Sequence, residues 1–196
     1  MDLATLHSQQ RLLMRQKLTL MVNRYVVSME APGGGEGEMV AFAEQKRLAF
    51  REEVTLYTDE SRRSILCRFK ARQVLDIGAT YDVWDHAGTP IGMFRKDFAK
   101  SLLRSTWHLE QAGITAVGQE RSPVVAVVRR VWEMVSDIPF FVPYHFDFTA
   151  ADGRPVMSVD KTANLRDRYR IEAHDPTLDR RLAIAVAVAL DALQSR

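Results

Sequence analysis

A chain of 196 residues with 46% hydrophobic and 27% charged residues fits one globular domain with a sizeable core and excludes a disordered chain. Its formal charge of +2 is far from the excess of a dedicated nucleic-acid binder, so no nucleic-acid partner is expected. With Cys67 as the one cysteine there is no intramolecular disulfide and no multi-cysteine zinc site, which fits a reducing compartment and a cytoplasmic location.

The chain opens with "MDLATLHSQQRLLMRQKLTLMV", where Arg11, Arg15 and Lys17 interrupt the apolar residues, so it lacks the continuous apolar core of a signal peptide. Residues 1–15 read as a flexible or helical extension of a single domain spanning 1–196. Strand-like segments follow at 18–29, 38–45, 48–58, 64–72 and 79–85, rich in β-branched and aromatic residues and separated by Gly, Pro and Asp clusters. Between the first two, "PGGGEG" lacks the Lys-Ser/Thr of a phosphate loop and reads as a hairpin tip. The spacing predicts a meander of antiparallel hairpins, and closing it into a barrel removes its exposed edges.

An internal repeat comes next. "YDVWDHAGTPIGMFRK" (81–96) aligns without a gap on "FDFTAADGRPVMSVDK" (146–161), matching Asp82 with Asp147, Gly88 with Gly153, Pro90 with Pro155 and Lys96 with Lys161. After a different spacing, "TWHLE" (106–110) matches "RYRIE" (168–172), so that Trp107 corresponds to Tyr169. Between the copies, "SPVVAVVRRVWEMVSD" has Ser122 as a cap, Pro123 in the first turn and an apolar stripe, which predicts an extra outer helix near 122–136.

The chain ends in its most apolar stretch, "LDRRLAIAVAVALDALQSR". The uncharged run from Leu182 to Leu190 lies between Arg181 and Asp191 and is far shorter than the roughly 20 residues of a membrane span. Asp175 or Thr177 can cap a helix here and Pro176 fits its first turn, so 177–193 read as a helix. A helix apolar on every side has to be enclosed by protein, and the hairpins before it are the available wrapper.

The "D-x-x-G-x-P-x-G" hairpin, the run "RKDFAKSLLRSTWHL", the second hairpin ending in "RDRYRIE" and the terminal apolar helix together resemble the LURP-one-related family, within the tubby C-terminal and phospholipid scramblase-like superfamily. The resemblance implies a mainly β (α+β) fold, a closed antiparallel twelve-stranded β-barrel around a buried hydrophobic C-terminal helix. Tubby relatives bind phosphoinositides, and scramblase relatives have been linked to lipid movement and calcium. This chain has neither a palmitoylatable cysteine cluster nor an acidic calcium loop, which argues against scramblase-like features.

The candidate anion site is the basic group Arg95, Lys96, Lys100 and Arg104, joined by Lys161, the repeat mate of Lys96; such cations suit a phosphate or an anionic headgroup. Arg166, Arg168 and Arg170 alternate along a strand and fall on one face, opposite Tyr169 and Ile171. The first group also reads as a solvated connection between strands, and the second as an ordinary half-buried strand. His7, His86, His108, His145 and His174 have no metal-binding spacing, no serine sits in a nucleophile elbow, and no cofactor is expected. Trp84, Trp107, Trp132 and "IPFFVPYHFDF" read as core, or as an exposed recognition patch. A helix that fills the barrel leaves no lumen for an active site, so the chain is expected not to be an enzyme. The expected function is a non-catalytic binding module for an anionic headgroup or another phosphorylated ligand, placing the protein in the cytoplasm or peripherally on an anionic membrane. The alternative is a protein-interaction scaffold with a protein partner and no small ligand.

Overall fold

The structure, a computed structural model, describes residues 2–18, 22–46, 53–72, 80–97, 105–121, 145–162 and 168–194. A short helix, α1 (Leu3–Ser8), precedes β1 (Arg11–Leu18), β2 (Val22–Glu30), β3 (Glu36–Lys46), β4 (Val54–Tyr57), β5 (Ile65–Ala71) and β6 (Thr80–Asp85). Then come β7 (Pro90–Asp97), β8 (Thr106–Gln111), β9 (Ile114–Glu120), β10 (His145–Ala150), β11 (Pro155–Thr162), β12 (Arg168–Ala173) and a C-terminal helix, α2 (Arg180–Gln194). Each strand pairs antiparallel with its neighbours in sequence, and β1 pairs with β12 to close a barrel of 12 strands.

The stretch read as a flexible or helical extension thus divides. Leu3–Ser8 is helical, with Asp2 capping it by accepting from the Thr5 amide at 2.6 Å, while Arg11–Leu18 is the strand that closes the barrel. Its alternation was obscured because Leu13, between inward Leu12 and Met14, is also apolar but only half-buried on the outer side. The outer helix expected near 122–136 lies outside the described residues.

Period-two alternation sets the two barrel faces. In β9, Ile114, Ala116, Gly118 and Glu120 are buried while Thr115, Val117 and Gln119 are exposed; in β12, Tyr169, Ile171 and Ala173 are buried between exposed Arg168 and Arg170. The inward residues meet α2, in which every residue from Leu182 to Leu190 has 0% exposure. The alanines keep this helix slim enough to fit, and the barrel supplies a glycine at one close approach. A Cβ on Gly92 would lie 2.9 Å from Leu182 Cδ2. Phe69, Tyr81, Phe94 and Trp107 form a connected ring cluster inside β5–β8, with the Tyr81 and Phe94 rings stacked at 5.1 Å. Trp107, Phe146 and Phe148 are fully buried in the core, whereas Trp84 is half-buried; Trp132 and residues 138–144 lie outside the described residues.

The repeat extends to the register. Tyr81 opposes Phe94 as Phe146 opposes Val159, Lys96 opposes Trp107 as Lys161 opposes Tyr169, and each hairpin shifts register at the equivalent place, Val83/Trp84 and Phe148/Thr149. Gly88 and Gly153 turn the two hairpins with φ of 87° and 85°, a backbone conformation that strongly favours glycine.

Candidate functional site

The two ends of α2 are where polar chemistry meets the core. At its start the cap is Asp179, which accepts from the Arg181 amide at 2.9 Å and from the Arg181 guanidinium at 2.6 Å; this corrects the expectation that Asp175 or Thr177 caps the helix. Asp175 instead shapes the turn before it, accepting from the Thr177 amide and hydroxyl and from Arg154. Those bonds, the Thr177 hydroxyl first, hold its carboxyl below the ordinary carboxylate range. Arg180 is 4% exposed and ties this end to the N-terminal segment, its Nε donating to the Gln9 carbonyl at 2.6 Å. His7 stands 3.8 Å from Asp179, and burial lowers its pKa.

At the other end Asp191 is 3% exposed and accepts from the Tyr25 hydroxyl at 2.9 Å and from the Tyr169 hydroxyl; Gln16 donates to Tyr25 Oη at 3.3 Å. Two strands, β2 and β12, therefore satisfy one carboxylate inside the barrel. Lys96 donates to the Leu193 carbonyl at 3.5 Å, the favourable place for a cation at a helix C-terminus, and lies over the Trp107 ring. Lys161 lies over the Tyr169 ring in the equivalent position of the second repeat.

The sequence-derived anion group is consequently distributed. Arg95 is exposed on the outer face of β7, whereas Lys96 and Lys161 are half-buried on inward positions beside the end of α2. Adjacent strand residues point to opposite faces, so Arg95 and Lys96 do not converge. Lys100 and Arg104 lie outside the described residues, as does Arg166.

The outer face carries a second set of cations. Arg11 donates to Glu172 at 3.0 Å, Arg170 to Glu30 at 3.1 Å, and Arg24 and Arg62 share Glu44 at 2.8 and 2.6 Å. Arg168 and Arg170 are both exposed and flank Tyr169, as their alternation predicts. Arg15 on β1 stands opposite Arg168 on β12, and both lie near one carboxylate, Glu36, at 3.6 and 3.9 Å. Arg15 was not recognisable as a surface cation because β1 was not recognised as a strand.

On β9–β11, Arg121 forms a two-pronged pair with Asp147 at 2.8 and 2.6 Å and lies 3.6 Å from Asp160, which bonds His145 at 2.7 Å. The guanidinium occupies the space among these carboxylates, and the described residues contain no group of three or more His, Cys, Asp or Glu arranged for a metal ion. Ser158 contacts His174 at 3.2 Å, but the serine is 4% exposed and Asp147 on the next strand is engaged by Arg121. Cys67 is fully buried and burial pushes its thiol up, away from the reactive thiolate. No described helix is long and apolar enough to cross a membrane.

The model of the LURP-one-related family matches residues 39–191, most of the chain. It begins within β3, so β1 and β2 lie before it, and ends at Asp191 inside α2. Among curated proteins, no sequence matches.

Proposed function

The chain belongs to the LURP-one-related family, and from that premise we propose that it is a non-catalytic binding module whose ligand is anionic, a phosphorylated molecule or a lipid headgroup, held on the outside of the barrel. The observation that carries this reading is the filling of the lumen by α2, fully buried from Leu182 to Leu190. Side chains that face inward are committed to the helix, and recognition falls to outward ones. Among the described residues the outer face is charged: only Leu3 and Val117 are exposed large hydrophobics. This favours an ionic ligand over docking through an apolar patch.

The test is sedimentation of the full chain with vesicles of phosphatidylcholine alone or mixed with anionic lipid, across a salt series, beside titration with soluble phosphorylated compounds. Binding to anionic probes that weakens with salt is the expected result. Absence of binding to every anionic probe overturns the reading and moves the search to a protein partner.

A further inference from the structure

We propose that the outer surface where β1 meets β12 is an anion site, in which Arg15 and Arg168 together grip a phosphate group. The proposal rests on the reading that the barrel binds anionic ligands, and it assigns the site to residues other than the basic group between β7 and β8.

Like charges directly opposite each other across two strands are unfavourable, and opposite charges are favourable. The β1–β12 seam obeys that rule at one rung and breaks it at another. Arg11 faces Glu172 and bonds it at 3.0 Å, whereas Arg15 faces Arg168. Two residues further along the same outward face of β1 is exposed Lys17, itself opposite Arg24. Glu36 is the carboxylate beside both arginines, and its separations of 3.6 and 3.9 Å are ion-pair distances beyond hydrogen-bond length. Neighbouring guanidiniums each donate a hydrogen bond to a carboxylate by comparison, Arg24 and Arg62 to Glu44 and Arg170 to Glu30.

Burial adds a second, independent observation. Among the described residues, Arg15 Nε is shielded from solvent and has no hydrogen-bond partner. A buried donor without an acceptor is costly, more so when it is charged. Local rules are broken together here, with like charges opposed at Arg15/Arg168 and at Lys17/Arg24 and a shielded donor at Arg15; such conflicts concentrate where a protein binds something. A guanidinium pair offers forked donors that suit phosphate oxygens, and a phosphate of charge near −2 would offset the two arginines that Glu36 alone does not.

The same phosphate chemistry can come from a lipid headgroup or a soluble phosphate compound, and the experiment separates them. The full chain is titrated with inorganic phosphate while nitrogen-edited NMR follows the arginine Nε–H signals. A saturable shift of the Arg15 and Arg168 signals is expected, with affinity falling about tenfold in Arg168→Gln, the loss of one charge-assisted bond. Arg168 is exposed, so that variant keeps the fold, and Arg11→Gln, whose partner is Glu172, leaves phosphate affinity unchanged. Sedimentation with phosphatidylcholine vesicles with and without phosphatidic acid then assigns the source. Binding lost in Arg168→Gln indicates a headgroup, and phosphate binding without vesicle binding indicates a soluble ligand. The site is overturned if phosphate leaves the Arg15 and Arg168 signals in place, or if Arg11→Gln weakens binding as much as Arg168→Gln. Anionic vesicles bound equally by wild type and Arg168→Gln remove this site while leaving the wider binding reading intact.

Discussion

The repeat units β5–β8 and β9–β12 share a skeleton and differ in what they present to solvent. Inward they agree: Tyr81 and Phe146, Phe94 and Val159, Lys96 and Lys161, Trp107 and Tyr169 occupy equivalent places around α2. Even the entry to each hairpin is the same, since the Arg72 amide donates to the Thr80 carbonyl as the Arg121 amide does to that of His145, and each guanidinium forks onto the equivalent carboxylate, Asp82 or Asp147. Beyond those pairs the outer faces part, with Arg95 in one unit replaced by Asp160 in the other. Residues that touch the shared helix are constrained by packing, and residues that face water are released to take on recognition. The inward pair of lysines lies against the rings of Trp107 and Tyr169, and the proposed anion site falls on the outward arginines instead.

The severest way to break the shared skeleton is to charge the element that both units enclose. Val186→Asp places an unpaired carboxylate at a position with 0% exposure, and is expected to cost more than about 4 kcal/mol, abolishing the cooperative unfolding transition seen by circular dichroism. A retained transition near the wild-type midpoint would mean that α2 is not a rigid core.

Next in size is the point where the units diverge inside. Tyr169 donates to Asp191, whereas its counterpart Trp107 donates to Ser105 Oγ at 3.3 Å. Tyr169→Phe should destabilise by about 1–2 kcal/mol in urea denaturation, because a buried carboxylate loses a donor. Tyr25 still holds Asp191, so the fold should survive. No loss of stability would show that Tyr25 alone satisfies the carboxylate.

The lysines sharpen the comparison more gently. Lys96→Met removes a cation from the end of α2 and should cost about 0.3–1 kcal/mol. Chain binding to anionic vesicles should be unchanged, and a large loss of binding at constant stability would return Lys96 to the ligand site.

The smallest effect concerns acid. Arg121 holds the Asp147 carboxyl below the ordinary carboxylate range. With the folded pKa depressed, the stabilisation is present above the unfolded pKa of about 4 and is lost as pH falls through the folded value. Arg121→Gln should raise the Asp147 titration midpoint in carboxyl NMR and remove this part of the acid sensitivity. A midpoint that stays in place would assign the shift to another group.

Much of this was legible before folding. Leu182–Leu190 has no polar side, so burial on every side followed from composition alone, and the paired glycines announced two matching hairpins. The LURP-one-related resemblance carried the closed barrel. Three features were hidden. The cap at Asp179 lost to Asp175 and Thr177 in the sequence because all three residues can cap, and only the turn ahead of α2 decides between them. The basic run Arg95 and Lys96 looked like one surface because adjacency in sequence conceals the reversal of direction along a strand. Arg15 was invisible as a partner of Arg168 because that contact depends on closure between the first strand and the last.

By itself the sequence determined the local devices: alternating strands, glycine turns, a helix that water cannot solvate, and the chemistry available at each position. Only the tertiary structure decided which cations share a face, since register and barrel closure bring together residues more than a hundred positions apart, and no local preference encodes that distance.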